Sequence, residues 1–254
     1  MIEVMSQSSL FGAGVHPDLP TSFVHFTGRP RGAGDRPPPF AADGAEGRLL
    51  QILQQGLLRA ASTWGTTGPV VCVSESTENA IKVMLSTGVT TRGPYEPWAL
   101  LLDRDALIER GFRPVWHMSE QSLQVTNHLP ALFRDLRVRY QPGEADWLAE
   151  REWRLCWGDT PLEDGRVPAL KLTGLLTGVI VGRRGWTPPS ITIAEESVTT
   201  TPNGSITSTT TASMQFATSC DAVPRLWWNG EELVDDGVFD VNSQIVRELV
   251  RPWE

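Results

Sequence analysis

The chain has 254 residues, 40% hydrophobic and 20% charged, with a net charge of −8. This describes a globular protein with a real core, as one large domain or two small ones, and excludes a disordered chain. The acidic balance gives no broad attraction to a nucleic-acid backbone, and no stretch approaches the roughly 18 apolar residues of a membrane span.

The three cysteines, Cys72, Cys156 and Cys220, are widely spaced. They fit neither a zinc pattern nor a disulfide framework and read as small buried residues in a reducing compartment. The first residues show no basic start followed by an apolar run, so a cytoplasmic protein with no membrane association is expected.

Residues 1–20 are polar and broken by Gly and Pro, a loose lead-in. Residues 21–28 alternate as a strand does, with Phe23, His25 and Thr27 on one face and Val24 and Phe26 on the other. Residues 29–46, with Pro37-Pro38-Pro39 at their centre, are too rich in Gly and Pro for regular structure, and so long a loop is usually functional. A helix is expected over 48–55, with Leu49, Ile52 and Leu53 on one face and Gly56 just past its end. Leu57-Leu58 leads out of it.

Val70-Val71-Cys72-Val73 reads as a buried strand. Residues 74–77 offer capping hydroxyls, and residues 78–85 carry Ile81, Met84 and Leu85 at helical spacing. A strand over 98–102 leads to a short helix that starts at Asp103 or Asp105 and ends near Gly111. Residues 114–118 read as a strand, 129–136 as a helix and 137–140 as extended chain.

Residues 146–157 also read as a strand. Alternation puts Glu150, Glu152 and Arg154 on one face and Arg151, Trp153 and Leu155 on the other. Residues 175–182 form another buried strand. In residues 190–218, Pro202-Asn203-Gly204 separates two β-branched runs, the pattern of a long hairpin. That hairpin is a plain edge or a surface for a protein partner or a second copy of the chain. Trp227-Trp228-Asn229-Gly230 marks a further turn within 225–241, and 243–250 reads as a short helix. No repeat is visible, and strands mixed with short helices point to an α+β fold.

Phosphate-binding Gly-rich loops, dinucleotide fingerprints, His-Glu-x-x-His, paired Cys-x-x-Cys and nucleophile-elbow motifs are all absent from the sequence. None of His16, His25, His117 and His128 is spaced with another as a metal pair would be, so no metal is expected. His25 stands in an apolar strand with the Thr27 hydroxyl on its face. Ser74 stands where a strand ends and a helix begins. Glu150 and Glu152 set two like charges beside Arg154, an arrangement that shifts proton affinities at many active sites. Each has a plain alternative: a satisfied histidine, a helix cap, and a surface ion pair contributing at most about 1 kcal/mol.

Their order is more informative than any one of them. Phe23-Val24-His25-Phe26-Thr27-Gly28, then Leu50-Gln51-Ile52-Leu53-Gln54-Gln55-Gly56-Leu57, then Val71-Cys72-Val73-Ser74-Glu75, then Glu150-Arg151-Glu152-Trp153-Arg154 resembles the ADP-ribosyltransferase superfamily. More narrowly it is similar to bacterial defence and toxin members, DarT-like and abortive-infection-type, over residues 21–185.

The resemblance implies a split, bent β-sheet core with short flanking helices. Residues 1–20 would precede this core, and residues 186–254 would add the hairpin and a C-terminal extension packed on it. It implies NAD as a substrate bound in the cleft, with transfer of ADP-ribose to a macromolecule, protein or nucleic acid, or to water, in anti-phage defence or as a toxin. His25, beside Thr27, would bond a ribose hydroxyl, Ser74 would help hold the nicotinamide side, and Arg154 or Arg29 would pair with the pyrophosphate. Glu152 would be catalytic, with Glu150 assisting the acceptor. The ring stacked on nicotinamide would be Trp64, Phe26 or Trp98, because the only tyrosines, Tyr95 and Tyr140, match no family position. A ligand-sensing module on the same fold, or an RNA- or nucleotide-processing enzyme, are the alternative readings.

Overall fold

A computed structural model describes residues 18–28, 41–63, 65–88, 93–144, 148–158, 167–188, 191–201, 204–214 and 222–240, with only the backbone given for 191–201, 204–214, 222, 239 and 240. Residues 1–17 of the expected lead-in, 29–40 of the expected loop, Trp64, Pro202 and Asn203 of the expected turn, Cys220 and the helix over 243–250 lie outside these residues, and the helix expected from 48 already begins at Gly44, inside the expected loop. The architecture is mixed α+β, with one large mixed sheet and a few short helices.

The first strand, β1 (Ser22–Phe26), pairs along its whole length with β4 (Ala99–Asp103), from Ser22↔Asp103 to Phe26↔Ala99. On its other side it meets β3 (Val70–Ser74) at one register pair, Val24↔Ser74. β3 pairs in full with β8 (Glu152–Cys156), and β8 carries β5 (Arg113–Pro114) at the edge. Beyond β4 the sheet continues through β10 (Leu176–Val181), β13 (Ala222–Trp228) and β14 (Leu233–Asp240). Residues 222–240 form two strands of the main sheet, β13 running parallel to β10. Among the described residues there are also three two-stranded pairings: β2 (Leu57–Arg59) with β9 (Ala169–Lys171), β6 (Trp116–Met118) with β7 (Arg137–Arg139), and β11 (Ile191–Thr201) with β12 (Gly204–Met214). The last is the hairpin expected from its Asn-Gly turn.

Helices cover both faces. α1 (Gly44–Gln55) buries Ala45, Leu49 and Leu53 against Phe23, Val71, Val73 and Leu100. It ends where expected, at Gly56 with φ 62°, whose N–H reaches the carbonyls of Ile52 and Leu53. α2 (Glu78–Ser86) packs Ile81 and Leu85 on the opposite face, against Val24, Leu101 and Ile180. Its cap is Thr77, whose hydroxyl accepts from the Ala80 N–H. α3 (Arg104–Glu109) is capped by Asp103, and α4 (Glu120–Val125) and α5 (Ala131–Arg134) are single short turns.

Three sequence readings are corrected. The strand over 114–118 is two strands in different sheets, because Val115 bonds back to the Glu152 carbonyl while Trp116 bonds to Leu136. The helix over 129–136 shrinks to one turn, since Leu136 packs with Val70 and Cys156 at the start of β7. The strand through 146–157 begins only at Glu152: Leu148–Glu150 is a 3-10 turn, and Arg151 has φ 43°. Among the described residues no helix is long and apolar enough to cross a membrane.

Candidate functional site

The single shared rung between β1 and β3 leaves a gap between two strands of five residues each. His25 fills it, with Nδ1 2.7 Å from the Cys72 carbonyl oxygen. A carbonyl only accepts, so Nδ1 carries the proton, and in the neutral ring Nε2 is an acceptor. Burial holds this imidazole below its ordinary value, partly opposed by the same hydrogen bond. A neutral His25 can accept from a ligand hydroxyl and cannot offer it a charge.

An open cleft with a cavity volume of about 120 Å³ lies along this gap, lined by His25, Ser74, Tyr95, Glu150, Glu152 and their neighbours, including Phe26 and Cys72. Four residues singled out in the sequence thus meet in one place. Alternation does not produce this by itself. By register, Glu152 shares a face with Ser74 and Val24, whereas His25 belongs to the α1 face. The open seam lets the imidazole border both sides.

Glu152 is held by a two-pronged ion pair: Arg154 Nε and Nη2 donate to its two oxygens at 2.9 and 3.0 Å. Arg154 is only 3% exposed, and its third donor, Nη1, reaches the Asp135 carbonyl at 2.7 Å. Burial is the largest influence on Arg154 and opposes its charge, but Glu152 together with the neighbouring Cys72 and Cys156 outweighs it, and the net effect is to raise its proton affinity. Arg154 is not one of the residues lining the cleft; it braces Glu152 from behind, with each of its three guanidinium nitrogens bonded to a protein oxygen. Glu150, 6% exposed, accepts a hydrogen bond from the Tyr95 hydroxyl at 2.9 Å. The Tyr95 ring lies 4.6 Å from that of Phe26.

Thr27 is committed elsewhere. Its buried hydroxyl lies within hydrogen-bond reach of the Ala45 and Trp98 carbonyls, fastening α1 and the start of β4 to β1. Trp98 is 8% exposed and packs edge-on to Trp186, away from the cleft. Cys72 lines the cleft, but burial, then the Glu152 charge, pushes its thiol well up, and Cys156 is pushed up to about 12 by burial. Neither thiol is activated as a nucleophile. Among the described residues no group of three or more His, Cys, Asp and Glu could hold a metal.

A second compartment, with a cavity volume of about 170 Å³, borders His25 from the α1 side. Ile52, Leu57, Leu58 and Ala61 give it apolar walls, and Arg48, Arg59, Gln51 and Gln55 ring it with cationic and amide groups. Sequence reading missed it, along with Tyr95. The signal for the compartment was the Gln-rich face of α1 followed by Arg59; for Tyr95 there was none, since it follows no regular element.

The chain matches no protein-family model, no curated protein and no solved structure.

Removing the guanidinium with Arg154→Met should leave Glu152 charged and unpaired, costing about 3 to 5 kcal/mol in urea unfolding. A loss under about 1 kcal/mol would mean that the pair is no brace. His25 makes the opposite kind of contribution. Its folded proton affinity is depressed, so its stabilising effect is present above the unfolded value near 6.5 and lost as pH falls through the folded value. Between about pH 7.5 and about pH 5 the melting temperature of the wild type should therefore fall further than that of His25→Asn. Equal falls would contradict a depressed His25.

Proposed function

We propose that the chain breaks the nicotinamide–ribose bond of NAD and passes ADP-ribose to a macromolecular acceptor or to water. One observation carries this reading: two compartments of opposite character meet at His25, one with Glu150 and Glu152, the other with Arg48 and Arg59. NAD has the matching asymmetry. Its nicotinamide end carries a ring cation, and its pyrophosphate and adenosine end carries negative charge and a flat base with donors and acceptors.

In this reading the acidic cleft takes the nicotinamide riboside. The faces of Phe26 and Tyr95 suit a cationic ring, and His25 Nε2 accepts from a ribose hydroxyl. The second compartment takes the adenosine between apolar walls and amides, with the arginines toward the pyrophosphate. Arg154, the earlier candidate for that contact, stands behind Glu152; the guanidiniums bordering the second compartment are Arg48, which donates to the Thr27 and Ala42 carbonyls, and Arg59, whose Nε donates to Gln55. The nearly unpaired β1–β3 seam supports an ADP-ribosyltransferase-like split core, though within one continuous sheet.

The chemistry follows from the carboxylates. As the C1′–N1 bond breaks, its electron pair returns to the ring and nicotinamide leaves neutral. Positive charge develops at C1′ and the ring oxygen, as in glycoside hydrolysis. Glu152, already fixed by Arg154, stabilises that charge with little reorganisation. The acceptor oxygen then bonds to C1′ and its proton passes to Glu150. A defence or toxin role would follow from consuming NAD or modifying a host macromolecule.

Purified protein incubated with NAD should release nicotinamide, and Glu152→Gln should slow release by about a hundredfold to a thousandfold while still binding NAD. Binding without release in the wild type would favour a ligand-sensing module on this fold. No binding of NAD would remove the reading.

A further inference from the structure

Glu150 ends a 3-10 turn and Glu152 begins β8, so strand alternation alone does not bring the two into one cleft. The residue between them, Arg151, is the one described non-glycine residue with a positive φ, at 43°. L-residues avoid that region because Cβ crowds the backbone, and a long charged side chain has no local hydrogen bond to favour it. The conformation persists only where its surroundings impose it.

Glu75 is what surrounds it. This residue follows β3 directly, beyond the Ser74↔Glu152 pair. Its N–H donates to the Arg151 carbonyl at 3.0 Å. Its carboxylate is 6% exposed and lies 3.5 Å from Arg151 Nη2. Two further donors fix that carboxylate: Arg104 Nε at 2.8 Å and Trp153 Nε1 at 3.3 Å. Arg104 in turn lies over the rings of Phe23 and Trp153, at 5.7 and 5.9 Å from their centres. Arg151 also donates to the Asp18 carbonyl at 3.2 Å. A carboxylate this deep, bound by two guanidiniums and an indole N–H, is fixed before any ligand arrives.

We propose that Glu75 is a positioning residue: its buried carboxylate clamps Arg151 in the left-handed conformation that turns Glu150 and Glu152 into the same cleft. It touches no substrate and acts through the turn. Its effect on turnover rests on the reading of the two glutamates as the reacting groups; its effect on the turn does not.

Glycine adopts positive φ freely, so Arg151→Gly removes the need for a clamp while leaving the contacts of Glu75 with Arg104 and Trp153 in place. The test compares wild type, Glu75→Gln, Arg151→Gly and the double variant, with Glu75→Asp as the milder substitution should Glu75→Gln not fold. In the wild-type background Glu75→Gln should lower kcat for nicotinamide release by about tenfold or more, with KM changed less than about twofold. In the Arg151→Gly background the same substitution should cost less than about threefold. Melting temperatures should show the same coupling, Glu75→Gln lowering Tm less when residue 151 is glycine. Equal losses in both backgrounds, in kcat or in Tm, would overturn the proposal and make Glu75 a packing residue for Arg104 and Trp153. If the wild type releases no nicotinamide but the Tm values are coupled, the clamp stands and the NAD reading fails.

Discussion

The cleft exists because a side chain does the work of a missing ladder. β1 shares five register pairs with β4, and β3 shares five with β8, yet β1 and β3 share one. A continuous sheet opened in this way leaves main-chain groups without their usual partners, and an unmet buried group costs about 1 to 3 kcal/mol. The His25 N–H meets the Cys72 carbonyl instead. The ring is both the bridge across the seam and part of the wall of each compartment, so the two compartments share a residue. Any shorter side chain at position 25 would leave the carbonyl unmet or let the strands close.

Around that opening the buried charges are arranged in pairs, one on each face of β8. On the cleft face Arg154 holds Glu152; on the other, Glu75 gathers Arg104, Arg151 and the Trp153 N–H. Pairing is what makes burial of such groups tolerable. It also fixes geometry. A carboxylate gripped at both oxygens offers a stationary negative charge, suited to a developing cation. Glu150, held by a neutral phenol at one oxygen, is placed differently and has the different role proposed for it.

Much of the scaffold was legible because local patterns state it directly. The α1 stripe of Leu49 and Leu53, the Gly56 cap and the Asn-Gly hairpin each follow from spacing or backbone chemistry at one place. His25, Ser74, Glu150 and Glu152 were named from their order along the chain, and they line one cleft. What could not be read was non-local. The left-handed turn at Arg151 depends on Glu75, 76 residues earlier in the chain. The spent donors of Arg154 and the spent hydroxyl of Thr27 depend on carbonyls of Asp135, Ala45 and Trp98. Alternation correctly put Arg154 beside Glu152, but could not say that the pair would satisfy itself instead of a ligand.

The central claim is that the two compartments form one site for the two halves of a dinucleotide. Ligand-observed NMR with AMP and nicotinamide mononucleotide tests it directly. AMP and the mononucleotide should bind together without competing, NAD should displace both, and Arg59→Ala should weaken AMP while leaving the mononucleotide unaffected. Competition of AMP with the mononucleotide for a single place, or NAD displacing neither, would contradict the account.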